Sequence, residues 1–438
     1  MKDRLLKAIK KPGFQRYAAN SLWVVSEKLL RMITMLFVGI WVARFLGPQS
    51  FGILSFAQSF VFLFSAFSTL GFDSIVVREL VKGDIPKDQL LGCAFLMKLV
   101  GALIIIPIMM LIIYLSSEDR TTIFIVFIIA TSLILQSFNV IDFYFQSKVL
   151  SKYVSLVNSS SMVVSSIAKI IFIINEATLI YFALIILFDA LIVTVGLVYC
   201  YRFYAREFLI TWAFDLPIAK FLIQQSWPLF LSGILISFYM KIDQVMLNFM
   251  MNKSSVGVYA AAVKLSEAWY MIPMVIVSSL FPAIISAKKH SSKMYEKRLL
   301  RLYTLMVWFG LTIAIIITLS SNWLIHTLYG SSYHEAVTIL SIHIWAGVFV
   351  FLGVAFSKYL VAEGLAVRAL YRTLSGAILN IILNLVLIPI YGIIGAAVAT
   401  LISQIVANML YDVFDYRLRS ALNLKLIAFN PLHKLHRE

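Results

Sequence analysis

The chain has 438 residues, of which 61% are hydrophobic and only 13% are charged. This balance leaves too few polar side chains to cover a soluble surface, so the composition excludes a soluble globular domain. The formal net charge is +16 at pH 7. A membrane protein with basic cytoplasmic loops carries such a charge without any nucleic-acid partner, and we expect none.

Long apolar stretches separated by short polar breaks predict an all-α integral membrane protein. A helix needs roughly 20 apolar residues to cross about 30 Å of hydrocarbon, and the stretches reach that length. Residues 101–115 are continuously apolar and lack the alternating polarity of a membrane barrel strand. The sequence predicts about 12 transmembrane helices, at 17–43, 52–74, 90–115, 121–147, 154–175, 178–201, 221–250, 257–285, 302–320, 336–357, 373–390 and 393–416.

Lys and Arg are distributed unevenly between the two sides of the predicted spans. Of the 37 basic residues, 28 lie at the termini or in connections on one side, whereas Arg44, Arg120 and Lys253 lie on the other. Basic loops are retained in the cytoplasm, so the asymmetry predicts a multi-pass protein with both termini cytoplasmic.

The remaining six basic residues lie inside the predicted spans, where a charge costs at least ~2.5 to 3.5 kcal/mol at the bilayer centre. Such residues face a bundle interior or a watery cavity, so we treat them as candidate substrate-binding cations for an anionic group. Arg31 is the principal candidate because Arg grips phosphate through two parallel hydrogen bonds. The six are Lys28, Arg31, Lys98, Lys169, Lys241 and Lys264.

Three acidic residues in the same spans are candidates for ion coupling. Glu27 precedes Arg31 by four residues, which places both on one helix face. The other two follow Lys241 and Lys264 within three residues, so local ion pairing competes with a role in binding or coupling. The three acids are Glu27, Asp243 and Glu267.

Several spans also carry polar side chains at helical spacing. Such stripes form hydrogen bonds between helices or line a water-accessible volume, and the spacing is compatible with both interpretations. The stripes are Asn139, Asp142 and Gln146, then Asn158, Ser161 and Ser165, and then Thr400, Gln404, Asn408 and Asp412.

An internal repeat divides the chain into two halves of six helices. The segment Ser50-Phe51-Gly52-Ile53 recurs 205 residues later as Ser255-Val256-Gly257-Val258. An even number of helices per half predicts parallel repeats, related by a pseudo-twofold axis along the membrane normal, with a site between them. The predicted organisation is a basic cytoplasmic N-terminus at 1–16, six-helix bundles at 17–205 and 221–416, a cytoplasmic linker at 206–220 and a basic cytoplasmic tail at 417–438.

Three segments between residues 46 and 80 together resemble a known family. The run Leu46-Gly47-Pro48-Gln49-Ser50-Phe51-Gly52-Ile53-Leu54-Ser55-Phe56-Ala57-Gln58-Ser59-Phe60 is followed by Leu70-Gly71-Phe72-Asp73 and Val76-Val77-Arg78-Glu79-Leu80. Together they resemble the N-terminal signature of Wzx-type O-antigen flippases, in the superfamily that also contains multidrug and toxin extrusion (MATE) transporters. The signature covers about 35 residues, and the helix count and basic N-terminus extend the likeness at lower specificity.

The resemblance implies a flippase of the bacterial inner membrane that serves lipopolysaccharide or similar surface polysaccharide biosynthesis. Its cargo would be an undecaprenyl-pyrophosphate-linked oligosaccharide repeat unit, moved from the cytoplasmic to the periplasmic leaflet by alternating access. A MATE-like V shape is implied, together with a cytoplasmic gate formed by Asp73, Arg78 and Glu79. A polysaccharide polymerase and a chain-length regulator would be its partners.

Two other transporter functions remain open, namely a MATE-like exporter of drugs or organic cations and a peptidoglycan-precursor flippase. A membrane enzyme of glycan assembly is less compatible with the sequence, because the predicted extracytoplasmic loops are short and the longest, about 320–335, has no Lys or Arg. The sequence has no glycine-rich phosphate loop or metal-ligand cluster, so we expect no catalysis, cofactor or metal.

Overall fold

The computed structural model describes residues 12–116, 118–288 and 291–430, and every regular element in these ranges is helical. Most of the predicted N-terminal segment and the last eight residues of the predicted tail lie outside the described residues. The helices are α1 Pro12–Thr69, α2 Asp73–Lys82, α3 Lys87–Leu115, α4 Arg120–Leu135, α5 Val140–Ser147, α6 Ser151–Ile174, α7 Leu179–Phe203, α8 Leu216–Met250, α9 Lys253–Glu267, α10 Met271–Lys288, α11 Ser292–Leu328, α12 Ala336–Ala362, α13 Ala366–Ile405, α14 Tyr411–Phe414 and α15 Arg419–Ala428.

Ten helical segments in the described ranges are long and apolar enough to cross a membrane. Two of them contain a helix that is broken inside by one glycine with non-helical backbone angles, Gly47 in α1 and Gly392 in α13. Each break divides its segment into two, so these segments correspond to the twelve predicted spans. The all-α membrane architecture is therefore confirmed.

The chain forms two compact units whose sequences interleave. The N-terminal unit contains the chain up to Phe45 together with Ala57–Ser237, and the C-terminal unit contains Leu46–Phe56 together with the chain from Phe238 onward. The first turns of the second predicted span thus belong to the C-terminal unit, and the beginning of α8 belongs to the N-terminal unit. The domain boundaries predicted from the sequence stay a prediction.

The two glycines matched by the sequence repeat lie at a backbone contact inside the C-terminal unit. A Cβ atom on Gly52 would lie 1.7 Å from the carbonyl oxygen of Lys253, and one on Gly257 would lie 1.9 Å from that of Pro48. The contact is reciprocal, because Lys253 follows Pro48 by the same 205 residues. Only glycine allows the two helices to approach this closely.

The second part of the signature forms a tight turn between α1 and α2. Leu70 and Gly71 have φ of 54° and 67°, in the left-handed region. A Cβ atom on Gly71 would lie 2.6 Å from the backbone nitrogen of Phe230, which belongs to α8 in the same unit. The turn therefore requires glycine for its conformation and also for its close contact.

Candidate functional site

The charged residues of the first span form one ion pair and leave one further cation. The Nε and Nη2 atoms of Arg31 lie 2.9 and 2.8 Å from Oε1 of Glu27, as the spacing of four residues predicts. Glu27 is buried, whereas the side chain of Arg31 is 49% exposed. Lys28 is exposed and has no ion pair within the described ranges. The single carboxylate of this span therefore pairs with Arg31 and leaves the charge of Lys28 uncompensated within the described residues.

Arg31 contributes to the wall of a polar cavity of about 300 Å³ within the N-terminal unit. The cavity lies among α4, α6, α7 and the short 3₁₀ turn Gln136–Asn139. The polar stripes predicted on the fourth and fifth spans thus supply part of a cavity lining as well as contacts between helices. Its principal polar side chains are Arg31, Gln136, Asn139, Asp142, Asn158 and Asp189.

Asp189 was missed by the sequence analysis, although it is the single acidic residue in α7. Ser161 and Ser165 on α6 donate hydrogen bonds to its Oδ1 atom, at 2.6 and 2.5 Å. A lone carboxylate in a 25-residue apolar helix was the available signal, because the bilayer excludes such a group unless it is hydrogen-bonded or paired.

The two remaining cations of this unit lie near acids. Lys98 is 3% exposed and interacts electrostatically with Asp73 and Asp142. Its Nζ atom also lies 5.1 Å from the ring centroid of Phe143. Lys169 interacts with Asp189. Neither lysine forms an ion pair with these acids within the described residues, but both lie within electrostatic range of carboxylates that line the cavity.

The proposed gate residues lie on the short helix α2 in the N-terminal unit. Glu79 is buried and accepts hydrogen bonds from Arg78 at 2.7 Å and Lys82 at 2.9 Å. Arg78 also donates to Oε1 of Gln225 on α8, at 3.2 Å. Asp73 lies in the first turn of α2, where a carboxylate stabilises the helix dipole. These contacts hold α2 in place, and gating stays a prediction.

In the C-terminal unit, Asp243 is the centre of a buried hydrogen-bond network. Tyr259 donates to its Oδ2 atom at 2.8 Å, and Asn384 donates to its Oδ1 atom at 2.6 Å. Thr400 also donates to Oδ2. Asn384 donates a second bond to Oδ1 of Asn380, at 3.0 Å, but its own Oδ1 is buried without a partner in the described structure. Three neutral donors therefore surround this carboxylate.

The local ion pair considered for Lys241 and Asp243 is wrong, whereas the one considered for Lys264 and Glu267 stays a prediction. Lys241 lies 3.0 Å from Glu267 on another helical segment, and not against Asp243. Residues two apart on a helix point in nearly opposite directions, which explains why Lys241 and Asp243 do not pair. The Nζ atom of Lys264 lies 4.4 Å from the ring centroid of Phe51. The structure thus places Lys241 with Glu267, and Lys264 over an aromatic ring.

A second buried charge cluster in this unit was also missed. Lys425, counted as part of a solvated basic tail, is fully buried, and its Nζ donates to Asp412 and, at 2.9 Å, to the carbonyl of Asn408. The same Nζ lies 3.2 Å from the ring centroid of Phe356. Burial lowers the pKa of Lys425 to about 7 despite the carboxylate beside it. Asp412, the last residue of the polar stripe predicted on the twelfth span, is likewise buried.

Arg372 lies close to the same aromatic ring. Its guanidinium carbon is 5.1 Å from the ring centroid of Phe356, and Nη2 donates to Ser357 at 2.8 Å. The Nη1 atom is buried without a hydrogen-bond partner in the described structure. The cluster joins α12, α13 and α15 next to the single π-helical turn Val406–Leu410. It therefore attaches the last described helix to the C-terminal unit.

Comparison with known proteins assigns most of the chain to two sequence models. A family model described as polysaccharide biosynthesis protein matches residues 15–288, and a model described as MatE matches residues 228–386. The probable flippase AglR of Haloferax volcanii is 30% identical over 183 residues, which cover 39% of this chain. The match spans only 37% of the length of that relative.

Solved structures with similar folds cover nearly the whole chain. The lipid II flippase MurJ, in an inward closed conformation, aligns with a TM-score of 0.73 at 15% identity and covers 94% of this chain and 90% of its own. An inward-facing multidrug resistance transporter of the MATE family has a TM-score of 0.71 at 15% identity, with coverage of 91% and 95%. These similarities establish the fold.

Proposed function

Because this chain belongs to the polysaccharide biosynthesis protein family, we propose that it is a flippase for lipid-linked oligosaccharides. Its cargo is an undecaprenyl-pyrophosphate-linked repeat unit of O-antigen or a similar surface polysaccharide. The protein moves this unit from the cytoplasmic to the periplasmic leaflet of the inner membrane by alternating access. It acts without catalysis and delivers its cargo to a polysaccharide polymerase and a chain-length regulator.

The observation that carries this proposal is the charge balance around Arg31. Arg31 pairs with the single carboxylate of Glu27 and lies in the wall of a polar cavity. The neighbouring Lys28 is exposed and has no ion pair within the described ranges. A pyrophosphate is the type of ligand that such a pair attracts, because Arg offers a planar fork and Lys a point charge. A transporter of organic cations would instead need an excess of carboxylate at this position.

Within the C-terminal unit, we propose Lys241 and Lys264 as substrate-binding cations. Lys241 is about one fifth exposed and is paired with Glu267, and Lys264 lies over the ring of Phe51. Lys98 and Lys169 are already engaged with acids, so we propose that they maintain the polarity of the N-terminal unit. Replacing either lysine by a neutral residue would therefore change the electrostatic environment of the cavity carboxylates.

Asp243 is the best candidate of the three proposed coupling acids. Glu27 and Glu267 each neutralise a cation, whereas Asp243 is held by neutral donors from Tyr259, Asn384 and Thr400. Asp243 has no ion pair within the described residues, and an uncompensated buried carboxylate attracts a small cation. We propose that such an ion drives the transport cycle through Asp243.

The proposal is tested in a strain that lacks this gene and carries it on a plasmid. Arg31→Ala should reduce exported surface glycan at least tenfold and cause lipid-linked precursor to accumulate, with unchanged protein in the membrane. Arg31→Lys should restore part of the export. Lys220→Ala is the matched control, because Lys220 is an exposed cation of the same unit outside the cavity.

Full export by Arg31→Ala would overturn the anion-binding role. Organic-cation efflux, measured in the same strains, tests the alternative function of a drug exporter. Drug resistance that depends on this chain, without any glycan export, would indicate that function. A lethal deletion would instead indicate a peptidoglycan-precursor flippase. For Asp243→Asn, we expect residual export that no longer responds to changes in external Na⁺ or pH.

A further inference from the structure

The polar cavity of the N-terminal unit has the dimensions of a small-molecule site. Its volume of about 300 Å³ lies at the lower end of the range for ligand pockets, which is roughly 300 to 1,000 Å³. A single sugar ring with a few waters fits this space, whereas a complete oligosaccharide or a lipid tail does not. The cavity therefore suits one part of a larger substrate.

Two amide side chains in the cavity wall are available for hydrogen bonding. Asn139 and Asn158 form no side-chain hydrogen bond with any described residue, although both line the cavity. Gln136, the third amide, makes one long contact of 3.4 Å with Ser132. Each amide presents donors and an acceptor, the combination that pairs with vicinal hydroxyl groups. The cavity wall can therefore form hydrogen bonds with a ligand that is rich in neutral polar groups.

The carboxylates of the cavity accept hydrogen bonds from neighbouring side chains. Asp189 accepts hydrogen bonds from two serines, and Asp142 accepts one from Gln146 at 2.9 Å. Lys98 lies within electrostatic range of Asp142, and Lys169 lies within that of Asp189. Arg31 is paired with Glu27. Carboxylate and amide oxygens in one small wall accept hydrogen bonds from hydroxyl groups, so a neutral polyhydroxyl ligand fits this cavity.

We propose that this cavity binds the sugar ring joined directly to the pyrophosphate of the lipid-linked substrate. The inference rests on the proposed function, in which Arg31 holds the pyrophosphate. Because the first sugar is attached through a phosphate oxygen, a pyrophosphate at Arg31 places that ring beside the cavity wall. Asn139 and Asn158 then select the ring by its hydroxyl or acylamino substituents. The cavity is a specificity subsite, while Arg31 supplies affinity common to all substrates.

The test measures binding to the purified full-length protein in lipid nanodiscs. The probes are undecaprenyl pyrophosphate alone and a series of undecaprenyl pyrophosphates that carry single sugars differing in substituents. The wild-type protein should prefer one sugar. Asn139→Ala and Asn158→Ala should each weaken binding of that probe by about tenfold, the equivalent of one lost hydrogen bond. Binding of undecaprenyl pyrophosphate without sugar should remain unchanged.

Asn175→Ala is the matched control, because Asn175 follows the same helix α6, bonds the carbonyl of Ile171 and lies outside the cavity. Unchanged sugar preference in the Asn139→Ala/Asn158→Ala double variant would overturn the subsite. A uniform loss for all probes, including the sugar-free one, would also overturn it, since it indicates structural damage. Failure of the proposed function is distinct, because Arg31→Ala would then leave binding of every pyrophosphate probe intact.

Discussion

Gly52 and Gly257, which are 205 residues apart and equivalent in the internal repeat, lie at a reciprocal backbone contact within the C-terminal unit. A Cβ atom on Gly52 would overlap the carbonyl oxygen of Lys253, and one on Gly257 would overlap that of Pro48. Pro48 and Lys253 are themselves equivalent in the repeat. The repeat signature is therefore explained by packing. Its glycines permit a helix crossing that no other residue type allows.

Substitution of either glycine should destabilise the protein. Gly52→Ala and Gly257→Ala force backbone displacement at 1.7 and 1.9 Å contacts, and overpacking of this kind costs about 1 to 3 kcal/mol or more. Thermal unfolding in detergent, followed by fluorescence-detected size exclusion, measures the effect. Gly39→Ala is the control, since no atom lies within 4 Å of the added Cβ. Equal stability of all three variants would contradict the contact.

Alanine substitutions at Gly71 and Gly83 distinguish the cost of backbone strain from the cost of steric overlap. Gly71 and Gly83 both have left-handed backbone angles, but only Gly71 faces the backbone of α8. Gly83→Ala should therefore cost roughly 1 to 2 kcal/mol from conformation alone, and Gly71→Ala should cost more. The comparison uses the same unfolding assay. A smaller loss of stability for Gly71→Ala than for Gly83→Ala would show that α8 moves to accommodate the added Cβ atom at little cost.

Removing one partner of the buried pair Lys425 and Asp412 should strongly reduce the stability of the protein. Lys425→Met leaves a carboxylate buried without its ammonium group, which costs about 3 to 5 kcal/mol. The double variant Lys425→Met/Asp412→Leu should recover most of this stability, because neither charge remains. Unfolding of Lys293→Met, an exposed lysine of the same unit, provides the reference. A double variant as unstable as the single one would exclude charge burial as the cause.

The same lysine should make stability depend on pH. Burial lowers the pKa of Lys425 to about 7, from 10.5 for an ordinary lysine. Between these values the unfolded chain binds a proton that the folded chain does not, so the contribution of Lys425 to stability rises with pH from about 7 to about 10.5. Unfolding scans at several pH values should show this rise in the wild type and a smaller one in Lys425→Met.

Much of the fold could be predicted from the sequence, because a membrane requires long apolar helices. The predicted gap between the spans at 390 and 393 coincides with the helix break at Gly392, and the predicted gap between residues 43 and 52 contains the break at Gly47. The family was predicted from the segment that begins at Leu46, and the match over residues 15–288 confirms it.

The site was predictable only where partners share one helix. Glu27 and Arg31 pair as their spacing of four residues indicates. Lys241 finds its partner Glu267 on another helical segment, and no local pattern identifies such a contact. Lys425 was counted in the basic cytoplasmic tail, whereas α15 packs against α11 and Lys425 is fully buried. Tertiary packing decides these positions.

The interleaved sequences of the two units affect how the chain can be divided and synthesised. The N-terminal unit ends at Ser237, so a ribosome must produce more than half of the protein before this bundle has all its parts. A chain severed in the connection after α7 would give two fragments, each lacking a segment of its own bundle and carrying one that belongs to the other. Split expression would then depend on reassembly of both fragments.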